Sequence, residues 1–426
     1  MAESVLDTVD RLWNGEVAMG VGSQHPLQVG SRALEELATD VAFTPSFANV
    51  SSFSTDDGLV LVDTGSRMLA RTVHEQIRGW RPNAPLHTAV YSHGHIDHVF
   101  GVPVFEEEAA GRGWPAPRVV AHEALPQRFD RYILTAGYNA VINQRQFQAP
   151  NMRWPTDYRY PDETYRDRVD LDVGGMGFEL RHAKGETDDH TWTWIPAKRI
   201  VCTGDLFIWC SPNAGNPQKV QRYPREWSQA LREMVALRPE LLLPGHGLPI
   251  AGADRIKQAL TDTADLLDAL VEQSLDLMNS GARLDDLLHS VTVPPALADK
   301  PYLQPIYDEP EFIVRNIWRL YGGWYDGNPA NLKPAPERAV ASELATLAGG
   351  ATRLADRARE LAAAGDLRLA GHLAEMAALA APDDTGVHAA RAEVFAARAE
   401  IERSTMSKGV FAWTARQSRE KSSESG

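Results

Sequence analysis

Over roughly the first 265 residues, short runs rich in β-branched and aliphatic side chains alternate with polar loops and amphipathic stretches. The runs are GLVLVDTG at 58–65, LHTAVYSHGH at 86–95, RVVAHE at 118–123, FELRHA at 178–183, RIVCTGD at 199–205 and LLLPGHG at 241–247. Each closes on a turn or a polar cluster, which predicts strands of a layered α/β domain with its chemistry at the strand ends. From about residue 252 the pattern changes to helical spacing, first in AGADRIKQALTDTADLLDALVEQSLDLMNSG and then, beyond VPPALADKPYLQP, in a run of Ala, Leu, Arg and Glu. Apolar residues three and four apart near 337–347, 351–364, 367–380 and 385–402, separated by Gly-Gly, Gly-Asp and Pro-Asp-Asp turns, predict an array of helical hairpins. One unit, ARELAAAGDLRLAGHLAEMAALAAP, has the look of a single tetratricopeptide-type pair. The predicted division is an α/β domain over 1–265, a helical linker over 266–299, an all-α domain over 300–416 and a polar, disordered tail over 417–426.

Composition narrows the partners. A formal charge of -14 in 426 residues, with pI near 5.4, gives a field that repels phosphate backbones and anionic membrane surfaces. Nucleic acid and membrane are therefore not expected partners. The N-terminal MAESVLDTVDRLWNGEVAMG lacks the basic start and apolar run of an export signal, so a cytoplasmic location is expected. Cys202 and Cys210 are too few for a disulfide framework and are expected to be reduced thiols.

The chemistry is densest in YSHGHIDHVFG, where His93, His95, Asp97 and His98 fall within six positions directly after an apolar strand. On a turn leaving a strand, this spacing lets His93 and His95 face one metal ion while Asp97 and His98 face a second. Two ions need more ligands than one loop supplies. His246, between two glycines after LLLP, and Asp205, at the end of VCTGD, are the further candidates, Asp205 as a bridge. The remaining ligand should come from HAKGETDDHTWTW, which offers His182, Glu186 and His190.

In this order, H-x-H-x-D-H, a ligand in a Gly-x-Thr turn, Gly-Asp and Gly-His resemble the metallo-β-lactamase superfamily over residues 45–250. The resemblance implies an αββα sandwich followed by an all-α dimerisation domain, with Asp63 of VDTG backing the metal loop. It singles out Glu186 of Gly185-Glu186-Thr187, where the superfamily usually presents a histidine. A glutamate there, with a second carboxylate 19 residues later, is similar to the alkylsulfatase branch, and WYDGNPANL at 324–332 resembles that branch's dimerisation domain. His182 and His190 remain rival ligands. The resemblance also implies a homodimer through the C-terminal helices and has no counterpart for the family's lipid-carrier-like third domain.

The expected reaction is hydrolysis of a small ester, most simply an alkyl or aryl sulfate, by a hydroxide bridging two zinc ions. Manganese or iron would suit the same ligands, and a carboxylic ester, thioester or lactone would suit the same centre. Asp97 is expected to orient the nucleophile. The resemblance places anion-binding groups at Arg315 and Tyr325, against which stand an ordinary ion pair of Arg315 with Glu311 and simple packing of Tyr325. Two departures matter: Asp205 replaces the family's bridging glutamate, and LFIWCSPNAGNPQKVQRYP lacks the histidine that protonates the leaving alcohol. His190, or His122, would have to take that role. Trp192, Trp194, Phe207, Trp209, Tyr223 and Trp227 are expected either to line an apolar channel or to fill the core.

Overall fold

All six apolar runs form strands, and their polar neighbours form seven more. The computed structural model describes residues 3–16 and 33–423. The first sheet comprises β1 (Glu35–Ala38), β2 (Val41–Thr44), β3 (Val50–Thr55), β4 (Gly58–Val62), β5 (Leu86–Val90), β6 (Arg118–His122) and β7 (Glu163–Tyr165), side by side in that order. Its first four strands pair antiparallel and β4 to β7 pair parallel. The second sheet contains β8 (Arg168–Val173), β9 (Met176–His182), β10 (Thr191–Ile195), β11 (Ile200–Gly204), β12 (Leu241–Pro244) and β13 (Ile250–Ala251), in the order β13-β12-β11-β10-β9-β8.

Alternation within each strand divides its residues between two cores. Phe43, Phe53, Val60, Val62, Val90 and Val120 from the first sheet meet Phe178, Leu180, Ile195, Cys202 and Leu243 from the second, forming the layer between them. The opposite face of the second sheet, with Trp192, Trp194, Val201 and Leu242, is covered by the helices Val5–Trp13, Pro224–Ala236, Ala253–Asn279 and Pro310–Gly322. The helices Ala70–Trp80 and Val102–Arg112 pack on the first sheet. The result is the expected αββα sandwich. Both cysteines are free and buried, and among the described residues no helix is long and apolar enough to cross a membrane.

The chain divides into two compact units, one of Met1–Ala136, Pro155–Gly281 and Asp286–Gly323, the other of Gly137–Trp154, Ala282–Asp285 and Trp324–Gly426. In the second, the helices Glu337–Ala348, Ala351–Ala363, Leu367–Ala380 and Thr385–Ile401 fall within two residues of their predicted bounds. Their cores rest on small side chains, Ala345, Ala355, Ala377 and Ala390 in one cluster and Ala358, Ala370 and Ala374 in the next. Short side chains let these backbones approach closely.

Three expected boundaries differ from the structure. Residues 266–299 do not form a linker. Leu266, Leu267, Leu270 and Val271 make one apolar stripe of the helix Ala253–Asn279 and are buried in the first unit's outer core. Ile313 and Ile317 carry the helix Pro310–Gly322 into the same core, so the first unit extends past residue 300. The last helix, Thr405–Ser423, includes most of the expected tail, because Ser418 is buried and accepts from Arg391 at 2.7 Å while Arg416 pairs with Glu420 one turn on. Residues 424–426 lie outside the described residues.

Leu267→Ala should therefore destabilise the first unit by about 2–5 kcal/mol, the range for a buried leucine. Urea unfolding checks this, since a leucine on an exposed linker would change stability by less than about 0.5 kcal/mol.

Candidate metal centre

Parallel pairing of β4 with β5 ends both strands at one edge and fixes the metal loop there. Asp63, immediately after β4, takes a left-handed backbone conformation (φ 59°). Its carboxylate accepts from the Ser92 backbone N–H (2.7 Å), the Ser92 hydroxyl (2.8 Å) and His98 Nδ1–H (2.7 Å). Ser92 Oγ in turn accepts from His93 Nδ1–H at 2.9 Å. A Cβ at Gly101 would lie 2.0 Å from the Thr64 carbonyl oxygen, so only glycine lets the loop close on β4. From the other side Asp189, fully buried and paired with Arg128 at 2.8 Å, accepts from the Gly94 N–H at 2.9 Å.

The second sheet brings the remaining groups. β11 and β12 are parallel, and Gly245 N–H donates to the Gly204 carbonyl at 2.8 Å, setting Asp205 beside His246. A Cβ on Gly245 would approach Asp205 Oδ1 to 2.2 Å, and one on Gly204 (φ 49°) would strike the His190 ring at 2.7 Å. The turn between β9 and β10 presents Glu186, closed by Gly185 N–H donating to the Thr187 carbonyl at 3.0 Å.

All seven expected ligands converge, in two groups: His93, His95, Glu186 and Asp205, and Asp97, His98 and His246. In the first, His93 Nε2 is 2.7 Å from His95 Nδ1, 3.7 Å from Asp205 Oδ2 and 4.0 Å from Glu186 Oε2. In the second, His98 Nε2 is 3.6 Å from Asp97 Oδ2, and His246 Nε2 is 3.3 Å from the same oxygen. Asp205 reaches both groups, with Oδ1 3.5 Å from His98 Nε2 and Oδ2 3.3 Å from His246 Nε2. His98 and His246 each donate Nδ1–H outward, to Asp63 and to the Phe47 carbonyl, so that in the neutral ring the inward nitrogen is the lone pair a cation would take after displacing its proton. Buried His98 Nε2, Glu186 Oε2 and Asp205 Oδ1 have no hydrogen-bond partner among the described residues. Orphaned inward lone pairs on mixed imidazole and carboxylate donors fit divalent cations.

Electrostatics point the same way. Burial and neighbouring imidazoles hold His93 neutral, and burial with Arg222 and Arg128 does so for His95. Burial also disfavours charge on His98 and His246, but Asp205 with Asp63 and Asp97 raises His98 well above its ordinary value, and Asp205 with Asp97 raises His246 to about 10. Burial and Asp205 push the Glu186 carboxyl up. Asp205, although buried, is held well below the usual carboxylate range by His246 and His98.

Other expectations are corrected. His190 is fully buried, stacks on His93 at 4.9 Å and accepts the Asp205 backbone N–H at Nε2 (3.1 Å). Its proton must then sit on Nδ1, away from the cluster, and burial lowers its pKa to about 4. It fits neither ligand nor proton donor, and instead steadies the backbone that carries Asp205. His182 stacks on His122 at 3.6 Å and donates Nδ1–H to the His190 carbonyl at 2.9 Å, outside both groups. Arg315 lies on an exposed helical face, 3.9 Å from Glu311 one turn earlier. Tyr325, 37% exposed, belongs to the second unit. Trp192, Trp194, Phe207, Trp209 and Trp227 fill the outer core and line no channel.

Sequence reasoning missed the groups around Glu186. Asn213 donates Nδ2–H to Glu186 Oε1, and buried Arg222 donates to the Glu186 carbonyl and lies 3.4 Å from Oε1. Asn316 clamps Arg222, accepting its N–H and donating to its carbonyl, each at 3.1 Å. The one available signal was the carboxylate itself, since a buried glutamate where an imidazole is usual needs donors and a counter-charge. Lys219 was passed over as well. Burial and Arg222 bring its ammonium down to about 8 against the pull of Asp97 and Glu186.

A sandwich with two groups of imidazole and carboxylate donors at its strand ends defines a metallo-β-lactamase-type site. Residues 43–246 match the family model described as "Metallo-beta-lactamase superfamily", and residues 283–421 match "Alkyl sulfatase dimerisation". Residues 43–246 thus form a metallo-β-lactamase domain, and an alkylsulfatase-type dimerisation region follows it over 283–421. It is 28% identical over 338 residues to a linear primary-alkylsulfatase of Pseudomonas sp. (strain ATCC 19151), covering 74% of this chain and 62% of that one. It is 26% identical over 372 residues to an (R)-specific secondary-alkylsulfatase of Pseudomonas sp., covering 81% and 56%. The chain thus spans about three-fifths of the length of these relatives. The fold matches that of a stereoselective inverting sec-alkylsulfatase from Pseudomonas sp. with a TM-score of 0.83, at 22% identity, over 97% of this chain and 70% of that one.

Metal loading must displace protons from His98, His246 and Glu186, so affinity should rise with pH, by about tenfold or more between pH 6 and 8, with proton release measurable in weakly buffered zinc titrations. In the metal-free protein the raised His246 contributes stability that is complete below its ordinary 6.5 and is lost as pH rises through about 10. Asn213→Ala should weaken the group containing Glu186 selectively, lowering bound metal from about two equivalents toward one. Unchanged stoichiometry in this variant would remove Asn213 from the support of that group.

Proposed function

We propose that this chain is a cytoplasmic, homodimeric hydrolase using two divalent cations, zinc by the donor set, to cleave sulfuric esters of alkyl or aryl alcohols. The observation that carries the reading is Glu186 in the first donor group, bound by Asn213 and Arg222 and sharing Asp205 with the second. Four curated relatives matching 74–81% of the chain are named alkylsulfatases or an alkyl/aryl-sulfatase, which supports the substrate class.

When bound, the cations supply a water of lowered pKa and Lewis-acid contacts for the ester oxygens. Asp97 would orient that water and accept its proton. Burial works against its charge, but His98 and His246 more than offset this and hold its carboxyl below the usual range. The anion is assigned by the resemblance to Arg315 and Tyr325. Lys219, close enough to Asp97 and Glu186 for both carboxylates to act on its ammonium, is the cation we assign to the sulfate in the first instance.

The second reading, a carboxylic ester, thioester or lactone hydrolase, is favoured by His190, which has no proton to direct at a leaving alcohol. A thiolate leaves with less such help than an alkoxide does, so the thioester is the member of this class that the arrangement favours.

Metal analysis with a substrate panel separates the two readings. About two equivalents of metal per chain and sulfate release from alkyl or aryl sulfates are expected. Turnover of esters or lactones with no sulfate release would select the second reading. Asp97→Asn should lower kcat by about 10²-fold or more, and Lys219→Ala should raise KM for sulfates about tenfold with metal content retained.

A further inference from the structure

Phe47 differs from the rest of its loop. Every other residue from 41 to 50 is buried, yet Phe47 is 46% exposed. The loop is tightly held. Ser46 N–H donates to Asn49 Oδ1 at 3.1 Å, and the Asn49 amide donates to the carbonyls of Pro244 (3.0 Å) and Gly247 (2.8 Å). Asn49 N–H donates to the Gly245 carbonyl at 2.8 Å. These bonds join the loop between β2 and β3 to the turn that carries His246. The Phe47 carbonyl itself accepts from His246 Nδ1–H, and its ring meets the imidazole edge-on, with centroids 5.2 Å apart and planes at 74°.

A single exposed apolar side chain on a protein surface calls for no explanation. Phe47 is a different case, because the backbone that holds its ring in water is the same backbone that orients an inward-facing imidazole of the donor cluster. A rigid aromatic presented at the lip of a polar site is how binding pockets contact the apolar part of a ligand at small entropic cost.

We propose that the Phe47 ring is the platform on which the organic group of the substrate lies while its ester group faces the donor cluster. This rests on the hydrolase reading above for the orientation of the substrate, and it names the feature of the substrate that the site selects, an apolar chain or ring attached directly to the ester oxygen.

The test is calorimetric binding of n-alkyl sulfonates from butyl to decyl, below their micelle concentrations, to the metal-loaded full chain. These ligands share the anion of a sulfate ester but have no ester bond to cleave. Wild-type affinity should rise with chain length. Phe47→Ala should bind octyl and decyl sulfonate about tenfold more weakly while scarcely changing butyl sulfonate. Phe47→Leu should lose about threefold, and it serves where alanine disturbs folding. Equal loss at every chain length, or decyl sulfonate binding as tightly to both variants as to the wild type, would overturn the platform. Chain-length-dependent binding that Phe47→Ala flattens, in a protein that releases no sulfate from any alkyl sulfate, would uphold the platform and remove the sulfatase reading.

Discussion

Four imidazoles and three carboxylates, most of them wholly buried, meet at one edge of the sandwich, and lone pairs brought this close repel one another unless positive charge lies between them. Proton sharing meets this need only in part. His98 and His246 hold protons above their ordinary range, yet His98 Nε2, Asp205 Oδ1 and Glu186 Oε2 remain without hydrogen-bond partners among the described residues. Much of the local sequence serves to keep these groups together despite that repulsion. Asp63 sits in a left-handed conformation, glycine stands at 101, 204 and 245 where a Cβ would collide, and each outward imidazole nitrogen of His93, His98 and His246 is engaged by an oxygen. Destabilisation built into the site is offset by two large apolar cores on either side of the second sheet.

The sandwich also explains why ligands so far apart in sequence meet. Parallel neighbours end at the same edge, so β4 with β5 in one sheet and β11 with β12 in the other each deliver two loops to one place. Asp63 and the 92–98 loop arrive from the first sheet, Asp205 and His246 from the second. The antiparallel hairpin of β9 and β10 adds Glu186 through its turn. Thr191 N–H donating to the Ser92 carbonyl at 2.6 Å joins the two sheets directly beneath the cluster.

The strands legible in the sequence were those with continuous β-branched runs, such as GLVLV and RIVCTG. β3, VSSFST, and β8, RVDLDV, place polar side chains on one face, and β7 is only three residues long, so their apolar signal is diluted. The convergence of these seven side chains was legible because imidazoles and carboxylates at such spacing have few uses besides metal binding. Their support was not. Asn213, Arg222 and Asn316 act across 27 to 94 residues of chain through single hydrogen bonds, and no periodicity or spacing encodes such pairings. Arg315 and His190 misled for the opposite reason, since each has the right chemistry while its geometry turns it outward to Glu311 or inward to the Asp205 backbone.

Exchanging an imidazole for Glu186 has a consequence that reaches beyond the ligand set. A neutral donor becomes one that adds negative charge beside Asp205, and burial alone would keep it protonated. For Glu186 to serve as an anionic donor, positive charge must stand near it, and Arg222 stands at 3.4 Å. A buried arginine needs fixing in its turn, and the segment that carries it has no strand on which to rest. Asn316, on the helix Pro310–Gly322, supplies that support by holding both the N–H and the carbonyl of Arg222, while buried Asp308 accepts from the Asn216 N–H at 3.1 Å and the Glu309 N–H at 2.8 Å beside the same helix. That helix falls within residues 283–421, the stretch matching the dimerisation family model, yet its side chains complete the core and the charge balance of the sandwich. The first compact unit extends past the last sheet residue to Gly323, and the carboxylate at position 186 draws on that extension through Arg222 and Asn316.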